Sequence, residues 1–327
     1  MVCSALQDRA PAALRDSLRR TAACSLALSA ELGRLLEVFQ RERIPIIPLK
    51  GPALAVALYG NLALRAFSDL DLLARPEDVL PAKRILENHG YRLASTLHWP
   101  CDSACFRARE SQLCFANGNA IAVDLHWHLW PDYFPPVFQE EHIWKRAREI
   151  PFAGRTAATL CSEHQALFLS AHGAKHIWER LGWLCDFARL IQMETSLDWD
   201  YVFGQARQTG TLRMVALALS LARDMLGVEL PAAAQRFPAG GATRALVNLV
   251  RRRFLEDAPI PAPALESTRF SMRAFQRTAH RLRYLCGSLT GPSEAEYRTL
   301  RLPPRLHWLY YSFRPLRIAV KYARDIV

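Results

Sequence analysis

The segment LKGPALAVALYGNLALRAFSDLDLLARPEDV, from Leu49 to Val79, carries the most informative pattern in the sequence. It opens with a Lys-Gly pair, and the apolar run behind that pair starts with Pro52 and stops at Gly60. Proline is favoured in the first turn of a helix and glycine just past its last turn, so a helix is predicted between them. The SDLDLLA run that follows alternates polar and apolar residues, which predicts a strand.

Asp69 and Asp71 lie on one face of that strand, because side chains two residues apart point the same way. Two carboxylates this close repel each other, and burying them without a partner costs several kcal/mol. A divalent cation removes that cost, and Mg²⁺ prefers one or two carboxylates together with phosphate oxygens. The simpler interpretation of an isolated Asp-x-Asp is a solvent-facing pair on an edge strand.

Two further features favour a site for a cation and a phosphate. Lys50 and Gly51 stand where a strand gives way to a helix, and a glycine there lets backbone N–H groups and the helix N-terminus face an anion. Asp124 lies in the second strand of a β-hairpin that is predicted around Asn117-Gly118-Asn119. Three acids and a phosphate-facing turn are the parts of a metal-assisted phosphoryl or nucleotidyl transfer site.

Outside this unit the pattern is helical, and the predicted fold class is α+β. We expect an N-terminal helical segment over residues 1–43, an α/β core over 44–135 and a mostly helical C-terminal domain over 136–327. No apolar run reaches the ~18 residues that span a bilayer. No apolar leader opens the sequence, and a cytoplasmic location is expected.

The positive charge is concentrated at the end of the chain. Residues 251–327 hold 15 Lys and Arg against 6 Asp and Glu, a net of +9 in a chain whose total is +11. The last helix mixes arginines with Trp308, Tyr310 and Phe313. This composition is compatible with nucleic acid, anionic lipid or an acidic partner, and also with an ordinary solvated helical face.

The ordered set KG…RxxxDxD…DxHW, read from Lys50 to Trp127, resembles the uncharacterised nucleotidyltransferases of the nucleotidyltransferase (DNA polymerase beta-like) superfamily. The match is good over about 45–130, and AHGAKHIWERLGWLCDFARL at 171–190 also resembles a helical segment of that branch. The resemblance implies a minimal β-sheet core with flanking helices, and transfer of NMP from an NTP to an acceptor hydroxyl. The acceptor could be a small molecule, a protein or an RNA.

The resemblance also implies the site residues. Two Mg²⁺ ions are expected on Asp69, Asp71 and Asp124, and Asp124 is expected to help deprotonate the attacking hydroxyl. The triphosphate is expected at the Lys50-Gly51 turn. The nucleotide-binding candidates are Lys50, Gly51, Arg65, Ser68, His126, Lys175 and His176.

Two other functions are compatible with the residues. Better-known members carry Gly-Ser or Gly-Gly at the turn, whereas Pro52 follows Gly51 here and removes one N–H donor that would face phosphate. That departure motivates an inactive nucleotide-binding or regulatory protein on the same scaffold. A metal-dependent phosphohydrolase is the third hypothesis, and it requires four residues around one ion: His126, His172, His176 and Asp186.

Overall fold

The computed structural model describes residues 12–94, 111–236, 240–256, 258–291, 296, 299–300 and 302–324. Helix α1 (Ala12–Arg41) opens the described chain and ends before strand β1 (Ile46–Pro48). Helix α2 (Gly51–Tyr59) follows, and strand β2 (Asp69–Ala74) comes after it. The turn, helix and strand predicted from the opening segment are therefore confirmed, as is the α+β fold class.

Helix α3 (Val79–Asn88) follows β2 along the chain. Three more strands complete the sheet: β3 (Arg92–Leu93), β4 (Gln112–Ala116) and β5 (Ala122–His126). The strand order is β1-β2-β5-β4-β3, and β2 pairs with β5 in parallel while the other pairs are antiparallel. The predicted hairpin around Asn117-Gly118-Asn119 is confirmed as β4 and β5. Because β2 and β5 run parallel, Asp71 and Asp124 lie side by side in register.

A second sheet of two strands, β6 (Arg148–Phe152) and β7 (Arg155–Thr159), was not predicted by the helical pattern after residue 135. Its turn is Ala153-Gly154, and both residues have positive φ. Ala rarely adopts that conformation, so the sequence lacks the Asn-Gly or Asp-Gly signal on which hairpin prediction relies. Short helix α4 (Glu141–Arg146) leads into this hairpin.

The remaining described elements are helices. Their bounds are α5 (Ser162–Lys175), α6 (Leu181–Met193), α7 (Trp199–Thr209), α8 (Leu212–Leu226), α9 (Ala232–Gln235), α10 (Gly241–Leu255), α11 (Ala264–Ala274), α12 (Thr278–Thr290) and α13 (Leu309–Arg324). In the described part of the chain, none of the helices combines the length and apolar character needed to cross a bilayer.

The larger sheet lies between two hydrophobic clusters. Leu70 and Leu72 of β2 pack with α1, α3 and the β6–β7 hairpin. Leu73, on the opposite face of β2, packs with the helical cluster formed from α5 to α11. That second cluster also takes in Leu54 and Leu58 of α2, so apolar packing crosses the expected domain boundary at 135/136. The alternation of β2 consequently turns Asp69 and Asp71 toward the helical part of the chain.

Candidate active site

Two strands of the sheet bring a carboxylate pair and an imidazole together. Ligand atoms of Asp71, Asp124 and His126 all lie within 4.8 Å of one another. His126 Nε2 is 3.2 Å from Asp71 Oδ1, and Gln112 Nε2 donates to Asp124 Oδ2 at 3.0 Å. In the described ranges, no other set of three or more such ligands meets this spacing. Asp69 lies outside this group, although it faces the same space.

The Lys50-Gly51 turn lies directly beside these acids. Lys50 Nζ is 3.2 Å from Asp71 Oδ1, and Lys50 is the residue that precedes the first turn of α2. Gly51 has a φ of 61°, and a Cβ atom at this position would stand 3.3 Å from the carbonyl oxygen of Asp69. Glycine is therefore required both by its backbone conformation and by the close approach of β2. The first turn of α2 points its partial positive charge toward the acids.

The charge states of the two β2 aspartates differ because their partners differ. Burial, and then the charge of Asp71, raise the pKa of Asp69. Burial would also raise the pKa of Asp71, but Lys50 and His126 hold that pKa below its usual range. Asp71 is thus ionised at neutral pH through its partners, whereas the charges of Lys50 and Arg65 only partly offset the effect of burial on Asp69.

One cleft of about 460 Å³ collects all of these groups. That volume falls in the range of small-molecule sites. Every residue that the sequence proposed for the site lines this cleft: Lys50, Gly51, Arg65, Ser68, Asp69, Asp71, Asp124, His126, Lys175 and His176. The structure therefore brings the sheet candidates and the distant α5 candidates to one place, while their individual roles stay predictions.

Residues 3–227 match the model of the family described as uncharacterised nucleotidyltransferases. The match spans the sheet, all of the cleft residues except Ile260 and Pro261, and the helices through α8. The chain belongs to this nucleotidyltransferase family.

Two solved structures are similar to about half of this chain. The lincosamide antibiotic adenylyltransferase LnuA, bound to lincomycin, is 20% identical, with a TM-score of 0.37 over 49% of this chain and 94% of its own. The antibiotic-resistance factor ANT(2'')-Ia in complex with adenylyl-2''-tobramycin is 16% identical, with a TM-score of 0.40 over 56% of this chain and 97% of its own. No curated protein matches the chain.

The wall of the nucleotidyltransferase cleft opposite the sheet comes from α5 and α6. Lys175 is half-buried there, and burial together with Lys50 lowers its pKa to about 8. Its ammonium lies 5.9 Å from the ring centroid of Trp130. Burial, then Lys175, lower the pKa of His176 to about 3, so His176 is a neutral imidazole at physiological pH.

Arg65 pairs with Asp186, which the metallohydrolase hypothesis had assigned to a metal site. Its Nε donates to both carboxylate oxygens of Asp186, at 2.9 and 3.1 Å, and Nη1 donates to the Gly51 carbonyl at 3.4 Å. Tyr59 also donates to Asp186, at 3.0 Å. Arg65 therefore links α6 to the turn, and it does not pair with Asp69 or Asp71 among the ion pairs of the described residues.

The histidine metallohydrolase hypothesis is wrong. It required His126, His172, His176 and Asp186 around one ion, but within the described chain His126 groups with Asp71 and Asp124 instead. Asp186 is fully engaged by Arg65 and Tyr59. His172 and His176 lie against each other and against Trp183, as parts of an aromatic wall.

Several cleft residues were missed by sequence reasoning. Gln112 could have been found, because a hairpin closed at Asn117-Gly118-Asn119 places it opposite His126, one strand from Asp124. The others come from remote parts of the chain, and their sequence patterns indicate only helix cores or a loop: Leu129, Trp130, Phe168, Glu179, Trp183, Ile260 and Pro261.

Proposed function

We propose that this nucleotidyltransferase moves NMP from an NTP to an acceptor hydroxyl in a Mg²⁺-dependent reaction. The observation that carries the proposal is the side-by-side placement of Asp71 and Asp124 beside the Lys50-Gly51 turn. Acids that would bind a cation and a turn that would bind phosphate thus share one cleft.

The donor set fits a divalent cation. Two carboxylates with ligand atoms within 4.8 Å of each other are the oxygen ligands that Mg²⁺ prefers. The buried Nδ1 atom of His126 has no hydrogen-bond partner, so the hydrogen-bonding capacity of this polar cluster is not fully used. Asp69, Asp71 and Asp124 would hold the ions, and the ions would supply neutralisation of phosphate charge.

The residues of the turn would bind the triphosphate. Lys50 is a point charge beside the acids, and the first turn of α2 offers backbone N–H groups and a partial positive charge. Pro52 offers no N–H, so Lys50 and the half-buried Lys175 would carry more of the binding. Both ammonium groups line the same cleft.

The transfer itself would need little covalent chemistry from the protein. The acceptor oxygen would attack the α-phosphorus and form a new P–O bond, while the bond to pyrophosphate breaks in line with it. Asp124 would take the proton of the acceptor hydroxyl, and Gln112 fixes the orientation of that carboxylate. Catalysis would then rest on positioning and charge stabilisation.

We propose that the helical part selects the acceptor, since α5 and α6 supply the wall of the cleft that faces the acids. Phe168 and Trp183 make this wall aromatic as well as basic, and Trp130, from the segment after β5, lies beside Lys175. The division into an N-terminal segment, an α/β core over 44–135 and a helical domain over 136–327 remains part of this proposal.

An inactive nucleotide-binding protein is the second candidate, and one observation favours it. Pro52 lies in the first turn of α2, where a further N–H would otherwise face the phosphates. In that case the cleft would bind an NTP and transfer nothing.

Label transfer from each of the four α-³²P-NTPs tests the proposal. Wild type is compared with Asp71→Asn in cell extract, with Mg²⁺ and with EDTA, and Asp78→Asn is the matched control because Asp78 lies outside the cleft. Metal-dependent label on a small-molecule, protein or RNA fraction, lost only in Asp71→Asn, supports the transferase. NTP binding without any transfer supports the inactive nucleotide-binding protein. If the chain neither binds nor transfers a nucleotide, both candidate functions are contradicted.

A further inference from the structure

The C-terminal part of the chain, which includes helices α12 and α13, exposes many large apolar side chains. Half of the exposed large apolar side chains in the described part of the chain lie between residues 282 and 320: Leu282, Leu289, Leu300, Leu306, Trp308, Leu316 and Val320. Trp308 is 62% exposed and Leu316 65%. Scattered exposed apolar residues are normal, but a concentration of them marks an interaction surface.

These side chains form stripes on the helices. On α12 the exposed positions 279, 282, 286 and 289 follow a 3-4-3 spacing, which keeps them on one face. On α13, Leu316 and Val320 are one turn apart, and Trp308 is exposed just before the helix begins. The surface formed by these residues is called the apolar stripes of α12 and α13: Ala279, Leu282, Cys286, Leu289, Trp308, Leu316 and Val320.

The inner faces of the two helices are already occupied. Tyr284 of α12 packs edge-on against Tyr133 and Phe275, with ring centroids 6.0 and 5.2 Å apart. Arg314 and Arg317 of α13 pair with the buried carboxylate of Glu296. The helices also pack against each other, so the apolar stripes are the faces left over.

Positive charge borders the apolar stripes. Arg283 is exposed next to Leu282, and Arg305 is exposed next to Leu306. The whole segment 251–327 carries a net charge of +9. A helix with Trp and Leu on one face and arginines beside them is typical of segments that lie in the headgroup region of an anionic bilayer.

We propose that the apolar stripes of α12 and α13 dock on an anionic lipid surface. Charge complementarity selects this occupant: two positively charged copies of the surface would repel each other. A nucleic acid would contact the arginines but leave Trp308, Leu316 and Val320 exposed to water, whereas a bilayer with anionic headgroups takes up both kinds of group. The surface lies outside residues 3–227, the part of the chain that matches the family model.

Co-sedimentation of the full chain with vesicles tests this proposal. Phosphatidylcholine vesicles with and without phosphatidylglycerol are compared at low and high NaCl. Binding to the anionic vesicles is expected, weakening as salt screens the attraction. Leu316→Glu with Val320→Glu is expected to reduce the bound fraction about tenfold, because it places charge into the apolar contact.

Leu255→Glu is the matched control, since Leu255 is 83% exposed but lies on α10, away from the apolar stripes. It should bind vesicles as wild type does. Arg283→Glu with Arg305→Glu leaves the apolar residues in place and tests the charge separately, so the result does not depend on one variant remaining folded. Absence of binding to anionic vesicles at low salt overturns the proposal. So does a stripe-dependent dimer seen by light scattering, or stripe-dependent binding of RNA in place of vesicles.

Discussion

The sheet side and the helical side of the cleft treat their buried charges in opposite ways. On the sheet side, Asp71 is buried, yet Lys50 and His126 keep its carboxyl ionised. On the helical side, burial and nearby cations such as Lys50 hold the pKa of His172 far below its ordinary value. At Asp71 the partners therefore outweigh burial, whereas at His172 burial and the neighbouring cations both favour the neutral form.

The largest expected effect would come from removing the sheet-side charges. Asp71→Asn with Asp124→Asn should lower transfer by about 10³-fold, because several kcal/mol of transition-state charge stabilisation depend on those carboxylates. The initial rate of label transfer at saturating NTP measures it. An unchanged rate would show that the sheet side is not the catalytic side, and Asp78→Asn should behave as wild type.

A buried ion pair joins the two sides of the cleft, and we expect it to affect the stability of the fold. Asp186→Asn leaves the Arg65 guanidinium, 9% exposed, without its carboxylate and should lower the free energy of unfolding by about 3 kcal/mol. Arg65→Met with Asp186→Leu should recover most of that loss, because no buried charge is left unpaired. Urea denaturation measures both.

A surface ion pair is the control for that experiment. Arg223 and Asp224 are both solvent-accessible, and Asp224→Asn should change the free energy of unfolding by less than about 1 kcal/mol. Equal effects of Asp186→Asn and Asp224→Asn would mean that the buried pair between α6 and the turn adds no more to the free energy of unfolding than a surface pair does.

A smaller effect on stability is expected at Gly51, and Gly60 is available as a matched comparison. Gly51→Ala should cost about 2 kcal/mol of stability, because alanine is strained at positive φ and its Cβ meets the Asp69 carbonyl. Gly60→Ala has almost the same φ, 62°, but its Cβ would meet nothing within 4 Å. The difference between the two free energies of unfolding isolates the close approach of β2, and identical costs would show that this approach is not tight.

The smallest expected effect is a change in how stability depends on pH. The pKa of Asp71 is lower in the folded chain than in the unfolded one, so its contribution is present above the ordinary aspartate pKa and disappears as the pH falls through the folded value. Lys50→Met removes the main partner, so the variant should lose less stability than wild type on acidification below about pH 4. Parallel acid denaturation curves would contradict this account of Asp71.

The sequence predicted the sheet side well because its signals are local. A two-residue period set the face of Asp69 and Asp71, and the Asn117-Gly118-Asn119 turn set the strand that carries Asp124. The helical side depends on contacts between remote positions. The Arg65–Asp186 pair joins residues 121 positions apart, and nothing in either neighbourhood indicates the other. The β6–β7 hairpin was missed because its turn contains Ala153, and alanine is not a residue from which positive φ is predicted.

The proposed function requires Asp71 and Asp124 to hold the metal of a bound metal–nucleotide complex. The most direct measurement is the EPR spectrum of Mn²⁺–NTP, with Mn²⁺ standing in for Mg²⁺ on oxygen ligands. Wild type and Asp78→Asn are expected to change the spectrum of the complex, whereas Asp71→Asn with Asp124→Asn leaves it as it is without protein. A double variant that changes the spectrum as strongly as wild type would contradict the claim.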